Sequence, residues 1–162
     1  MIKSIGNFLF KNRSYTPLPF VFLIILFASP TLITILIGLV LVVLGELLRI
    51  WSVSFAGSET RTTGSVGGSQ LVTQGPYSIT RNPLYVGNVL IYTGVGIMSN
   101  SLFPYLQIFG FLYFIFQYYA IIITEEEYLR LTFTGKFDIY TKTVGRLFPS
   151  FRKVPDEINS NI

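Results

Sequence analysis

The sequence contains no cysteine and no histidine among its 162 residues. Without them the chain has no disulfide framework, no thiol nucleophile and no metal site built on Cys or His ligands. It also lacks the side chain that most often acts as a general base near neutral pH. Any chemistry must therefore use carboxylates, tyrosine, arginine, amides, backbone groups or a bound cofactor, and we expect no metal site.

Charged residues are scarce, at 12% of the chain, whereas 51% of the residues are hydrophobic. Soluble domains carry about 25% charged residues, so a bilayer is the solvent that suits this composition. The net charge of +4 is compatible with nucleic acid, but the basic residues flank apolar segments. We therefore expect anionic lipid headgroups as partners and no nucleic acid.

The apolar residues predict an all-α membrane protein of one domain, with about four transmembrane helices. The first apolar stretch is too long for a single crossing, and Pro30 divides it into a helical hairpin over residues 17–56. The first helix of this hairpin, about 17–28, is short for a full crossing. Helix 3 is expected over residues 83–98, and helix 4 over residues 103–133 with its end in the cytoplasm.

Two polar segments complete the chain, a Gly-, Ser- and Thr-rich loop over 57–82 and a basic, aromatic tail over 134–162. All twelve Lys and Arg residues lie before helix 1, around this loop or after helix 4, whereas the turns near Pro30 and Asn100 are uncharged. The positive-inside rule then places both termini, an active-site loop and a C-terminal helix on the cytoplasmic side.

Several residues at this face have both a functional and a structural interpretation. Glu125 and Glu126 lie where helix 4 leaves the bilayer, either as acceptors for a cofactor's hydrogen bonds or as charges that end a membrane helix. Arg81 is either a clamp for a carboxylate or phosphate or a snorkelling interfacial residue. Asn82 is interpreted mainly as a helix cap.

Other features favour structural roles. Glu46 and Arg49 lie three residues apart on helix 2, which predicts an ion pair. The Gly94-Val95-Gly96 motif in helix 3 indicates close helix packing more than nucleotide binding. Tyrosine is common at membrane interfaces, and four tyrosines are candidates for a pocket wall: Tyr77, Tyr85, Tyr128 and Tyr140.

Two motifs in order carry a family resemblance: LVTQGPYSITRNPLYVGN at 71–88 and EEEYLRLTFTGKFDIYTKTVGRLFP at 125–149. They resemble the integral membrane methyltransferases, which include isoprenylcysteine carboxyl methyltransferase and the phospholipid N-methyltransferases. The first family motif is matched by Gly75, Tyr77, Arg81, Asn82, Pro83, Tyr85 and Gly87. The second is matched by Glu125, Glu126, Leu129, Phe133, Phe137, Tyr140, Arg146 and Pro149.

The resemblance implies an enzyme that binds S-adenosylmethionine at the cytoplasmic face and transfers its methyl group to a lipid-like substrate in the membrane. Arg81 and Glu125 are the expected catalytic residues. The expected cofactor-binding residues are Gly75, Tyr77, Arg81, Asn82, Pro83, Tyr85, Glu125, Glu126, Tyr140 and Arg146.

The acceptor stays open among a phospholipid amine, an isoprenylcysteine-type carboxylate and a thiol. Asn82 stands where the isoprenylcysteine enzymes usually have His, Phe137 where Tyr is common, and Thr134 where Gly is usual; these departures weaken the case for prenylcysteine methylation. The alternatives are a nicotinamide-dependent membrane lipid or sterol reductase and a non-catalytic membrane protein. The oligomeric state is not predicted.

Overall fold

The computed structural model describes residues 2–57, 70–155 and 158, and its regular elements are helical. The all-α expectation is therefore confirmed for this part of the chain. Residues 58–69 of the expected loop, with Arg61, and residues 156–157 and 159–162 of the tail lie outside the described residues. The helices are α1 (Ile2–Asn12), α2 (Leu18–Leu26), α3 (Leu32–Ala56), α4 (Pro83–Ser99), α5 (Tyr105–Thr132) and α6 (Lys136–Thr143), with a 3₁₀ turn at Gly75–Ser78.

The break at Pro30 divides the apolar stretch into α2 and α3, and a capping box starts the second helix. The Thr34 backbone N–H donates to Thr31 Oγ1 at 3.2 Å, and the Thr31 N–H donates to Thr34 Oγ1 at 2.9 Å. These bonds satisfy two N–H groups that a helix start leaves unpaired. Since α2 has nine residues, it is about 14 Å long.

Among the described residues, two helices, α3 and α5, are long and apolar enough to cross a membrane. Helix α4 has 17 residues, or about 25 Å, against a hydrocarbon core about 30 Å thick, and α2 is shorter still. The expectation of four full crossings is therefore not confirmed. Helix α5 has 28 residues and is about 42 Å long, so its last turns extend beyond a bilayer core.

Two pairs of glycines hold α3 and α4 together in antiparallel register, Gly38 opposite Gly94 and Gly45 opposite Gly87. A Cβ added at Gly94 would lie 2.6 Å from the Gly38 carbonyl oxygen, and one added at Gly45 would lie 2.7 Å from the Gly87 oxygen. Glycine lets membrane helices approach this closely. The packing interpretation of the Gly94-Val95-Gly96 motif thus applies to Gly94.

The two uncharged turns meet at one end of the helices. The Ser29 N–H donates to the Ser99 carbonyl at 2.9 Å, and Asn100 Nδ2 donates to the Ser29 carbonyl at 3.1 Å.

At the opposite end, α1 packs closely on α5 through Gly6. This amphipathic N-terminal helix was not expected from the sequence. The N-terminus, the start of α4 and the end of α5 thus share the charged end, whose cytoplasmic orientation stays a prediction.

The glycine contacts generate a stability prediction for two neighbouring positions in α4. Gly94→Ala should destabilise the protein by about 1–3 kcal/mol, because the new methyl group meets backbone that has to move. Gly96→Ala is the matched control, since its Cβ would meet only Gln107 Cγ at 3.8 Å. Thermal unfolding in detergent should give a lower Tm for Gly94→Ala alone. Equal Tm values for both variants would contradict the close packing.

Candidate active site

The segment before α4 pairs with the segment after α6, which joins the two motifs. The Arg81 backbone N–H donates to the Gly145 carbonyl at 2.9 Å, and the Ser150 N–H donates to the Ile79 carbonyl at 2.8 Å. Thr80 and Gly145 form an isolated parallel bridge. These contacts bring residues more than 60 positions apart in sequence to one place at the charged end.

Asn82 takes part in the same junction, and its interpretation as a side-chain helix cap is wrong. Its side chain makes no capping hydrogen bond at the start of α4. Instead, Asn82 Nδ2 donates to the Arg146 carbonyl at 3.0 Å. The amide is engaged by the opposite segment, while Pro83 at the first helical position needs no partner for a backbone N–H.

Glu126 lies between two arginines at the centre of this junction. Its Oε1 accepts from Arg81 Nε at 2.9 Å and Nη2 at 2.8 Å, and its Oε2 accepts from Arg146 Nε at 3.0 Å and Nη2 at 2.7 Å. Glu126 is 7% exposed. A buried carboxylate is stable only when it is paired and hydrogen-bonded, and here each oxygen faces its own guanidinium fork.

Arg81 also reaches backbone acceptors. Its Nη1 donates to the carbonyls of Thr141 and Val144 at the end of α6. The hydrogen bonds from Arg146 to Glu126 raise the pKa of the Arg146 guanidinium. The Arg146 guanidinium therefore stays charged, and the donors of both arginines hold α5, α6 and the segment before α4 in one geometry.

Two tyrosines extend the junction toward α6. Tyr140 Oη donates to the Tyr77 carbonyl at 2.6 Å. Burial raises the pKa of the Tyr140 phenol well above its ordinary value. Burial, together with the nearby Glu125 charge, raises the pKa of Tyr77 to about 12. Both phenols are therefore neutral near pH 7 and act as hydrogen-bond donors rather than bases.

A cavity of about 470 Å³ opens beside this network. Its walls come from the turn after α1, from α3, α4, α5 and α6, and from the segment between α3 and α4. Seven of the ten expected site residues line it: Tyr77, Arg81, Asn82, Tyr85, Glu125, Glu126 and Tyr140.

The other three expected residues lie outside the cavity lining and make structural contacts. Gly75 has a φ of +57°, and a Cβ there would lie 2.6 Å from the Phe55 ring, so glycine is required. Pro83 is buried at the first position of α4. Arg146 holds Glu126 and lies with its guanidinium carbon 5.3 Å from the centre of the Tyr119 ring.

Glu125 differs from its neighbour Glu126 because it faces the cavity with a tyrosine rather than two arginines as its partner. Tyr85 Oη donates to Glu125 Oε1 at 2.7 Å. The Tyr85 ring stacks on Tyr118, with ring centres 4.7 Å apart. The Glu126 carboxylate thus holds the junction together, whereas the Glu125 carboxylate faces the cavity and can contact a bound ligand.

The cavity wall also includes residues that were not expected as site residues, among them Arg13, Arg49, Asn88 and Tyr118. Arg49 forms the expected ion pair with Glu46, at 3.1 Å, and also reaches the cavity. A charge within an apolar helix is the sequence signal that points to such a role. Arg13 and Tyr118 carried no such signal because their position depends on long-range packing.

Two neighbouring residues of α5 lie outside the cavity lining. Tyr128, a candidate wall residue, is absent from the described cavity lining. Glu127, which lies beyond the matched Glu125 and Glu126, pairs with Lys3 of α1 on the surface.

A family model for phospholipid methyltransferases matches residues 33–136. The chain belongs to the phospholipid methyltransferase family. This confirms the resemblance drawn from the two motifs, and family membership together with the two apolar helices supports a membrane location.

Two curated relatives resemble most of the chain. The cobalt-zinc-cadmium resistance protein CzcN of Cupriavidus metallidurans is 35% identical over 75% of this chain and 50% of its own length. The nickel-cobalt-cadmium resistance protein NccN of Alcaligenes xylosoxydans xylosoxydans is 32% identical over 75% of this chain and 51% of its own length. The chain thus spans about half the length of the curated relatives it matches. No solved structure gives a significant match.

The Glu126 network generates a prediction for two adjacent glutamates. Glu126→Gln should destabilise the protein on the order of 3 kcal/mol, because it leaves two arginines facing a neutral amide. Glu127→Gln removes only an exposed pair and should cost about 0–1 kcal/mol. Unfolding by sodium dodecyl sulfate, followed by circular dichroism, measures both. Equal losses would show that the network is not central to the fold.

Proposed function

We propose that this protein transfers a methyl group from S-adenosylmethionine to a lipid-like acceptor at the cytoplasmic membrane face. The observation that carries the proposal is the cavity at the junction of the two family motifs, with Glu125 and Tyr85 in its wall. Family membership favours methyl transfer over the nicotinamide-dependent reductase. The charged end holds the basic residues that suit anionic headgroups.

The residues around the cavity fit S-adenosylmethionine in size and charge. A volume of about 470 Å³ is within the range of about 300–1,000 Å³ typical of small-molecule sites. Glu125 offers carboxyl oxygens that can accept hydrogen bonds from the cofactor's amino group and, when ionised, a negative charge for its sulfonium. The rings of Tyr77 and Tyr118 add aromatic surfaces that attract cations.

In this proposal the residues of the two motifs divide into holding and positioning roles. Glu125, Tyr85 and Tyr77 contact the cofactor. Arg81 is a positioning residue, because its donors are directed at Glu126 and at backbone carbonyls. Through Glu126, Arg81 fixes this part of α5 and thereby the carboxylate of Glu125, the preceding residue on the helix.

Bound S-adenosylmethionine supplies an electrophilic methyl group on a sulfonium. Transfer of this methyl group to the acceptor atom would break the carbon–sulfur bond, with the electron pair leaving on sulfur. The protein's part is to align the two and exclude water, which needs neither the missing histidine nor a cysteine. A carboxylate acceptor needs no base, whereas an amine acceptor must first lose a proton.

The acceptor is proposed to reach the cavity from the bilayer. Most large hydrophobic side chains of α3 are exposed, including Leu36, Val40 and Leu47, as expected for a helix that faces lipid. Val53 and Ala56 of the same helix line the cavity. A helix with one face toward lipid and another toward the cavity suits lateral entry of an acyl or prenyl chain.

Cofactor binding tests this assignment directly. Glu125→Gln should weaken S-adenosylmethionine binding at least tenfold, because the amide removes the negative charge that faces the cofactor's cation. Isothermal titration of the detergent-purified full chain measures the affinity. Glu127→Gln, two positions along α5 and outside the cavity lining, should bind like the wild type.

Wild-type affinity in Glu125→Gln would remove this residue from the site. No binding by the wild-type protein would contradict the proposed function itself. Incubating membranes with methyl-labelled S-adenosylmethionine should then place label in the lipid fraction, and label found only in protein would contradict a lipid acceptor.

A further inference from the structure

Arg49 is a charged residue seven positions before the end of α3, one of the two helices able to cross a membrane. Charges within such helices are costly and commonly mark functional sites. Its surface pair with Glu46 does not explain the cost, because both side chains are half-exposed, at 40% and 50%, and such pairs contribute little.

The path of the Arg49 side chain shows where its charge is directed. Its stem crosses α4 at Gly87, where an added Cβ would lie 2.6 Å from Arg49 Cγ and 3.4 Å from Cδ. The absent side chain at Gly87 thus opens the way by which Arg49 reaches the cavity. Its Nε is buried and has no hydrogen-bond partner among the described residues. Buried donors are normally satisfied, so this one is available to a ligand.

Polar groups from two other helices share this part of the cavity wall. Asn88 of α4 and Tyr118 of α5 line it with Arg49. Asn88 follows Gly87, the residue that the Arg49 stem crosses, and Tyr118 stacks on Tyr85 of the same helix α4. A guanidinium, an amide and a phenol together offer several N–H and O–H donors, a set suited to an anionic oxygen group.

We propose that Arg49, Asn88 and Tyr118 form a subsite that binds an anionic oxygen group, a phosphate or carboxylate, carried by the acceptor. The inference rests on the proposed function and adds the charge of the substrate to it. Arg49 belongs to the lipid-facing helix α3, whereas Glu125 belongs to α5 beside the cofactor's place. The two opposite charges thus orient the acceptor's anion toward α3 and leave the cofactor's cation with Glu125.

The test uses the full chain in neutral detergent and native mass spectrometry of bound lipid. The probes are dioctanoyl phosphatidic acid, which carries the anion, and dioctanoylglycerol, which has the same chains without it. The wild type should bind the phosphatidic acid at least tenfold more tightly, and Arg49→Gln should lose most of this preference. If inorganic phosphate displaces the bound phosphatidic acid, the free anion is sufficient for binding. If it does not, the lipid chains are also needed, and both results agree with the subsite.

Two controls separate binding from structure. Arg130→Gln removes a guanidinium paired with Asp138 outside the cavity lining and should keep the preference. Glu46→Gln should also keep it, whereas a purely structural Glu46–Arg49 pair predicts the same loss in both variants. A cooperative thermal unfolding transition in detergent, with the Tm of the wild type, shows that Arg49→Gln is folded. Should it not fold, Asn88→Asp, which adds a negative charge to the subsite, should abolish the preference instead.

The inference is overturned if Arg49→Gln, or the substitute Asn88→Asp, keeps the wild-type preference, or if the wild type shows none. It is also overturned if Arg49→Gln weakens S-adenosylmethionine binding as much as lipid binding, since the anion would then belong to the cofactor. Binding of S-adenosylmethionine to the wild type is measured separately. If the wild type does not bind the cofactor, the proposed function is contradicted, whereas the lipid results test the subsite.

Discussion

Glu126 and the two arginines that enclose it form the interaction on which the rest of the charged end depends. The carboxylate comes from the end of α5, Arg81 from the segment before α4, and Arg146 from the segment after α6. Removing Glu126 leaves the buried Arg81 without its carboxylate, and removing either arginine leaves one Glu126 oxygen without its donors. The network therefore determines that three distant segments meet, and the cavity is the space that remains between them and α3.

The network also explains why two neighbouring glutamates have different roles. Successive residues on a helix point in directions about 100° apart, so Glu126 faces the arginines while Glu125 faces the cavity with Tyr85. The third glutamate, Glu127, turns outward to Lys3 of α1. A run of three identical residues thus serves the junction, the cavity and the docking of the N-terminal helix.

Much of this arrangement was predictable from local features of the sequence. The break at Pro30, the start of α4 at Pro83 and the meeting of the two motifs follow from proline chemistry, hydropathy and charge placement. The Asn82 cap was wrong because a distant carbonyl, that of Arg146, competes for its side chain.

Other features depend on packing between distant helices and leave no local signal. The position of Arg13 in the cavity wall requires α1 to dock on α5 through Gly6. Arg49 paired with Glu46 as its spacing predicted, but its access to the cavity depends on Gly87 of another helix.

The central claim is that the two motifs wall a common binding site for S-adenosylmethionine. Ultraviolet cross-linking of the methyl-labelled cofactor to the purified full chain, followed by peptide mapping, tests this most directly. The account predicts label in peptides that contain Tyr77 to Tyr85 and Tyr118 to Glu126, lost when unlabelled cofactor is added in excess. Specific label confined to peptides outside both regions, or no specific label at all, would contradict it.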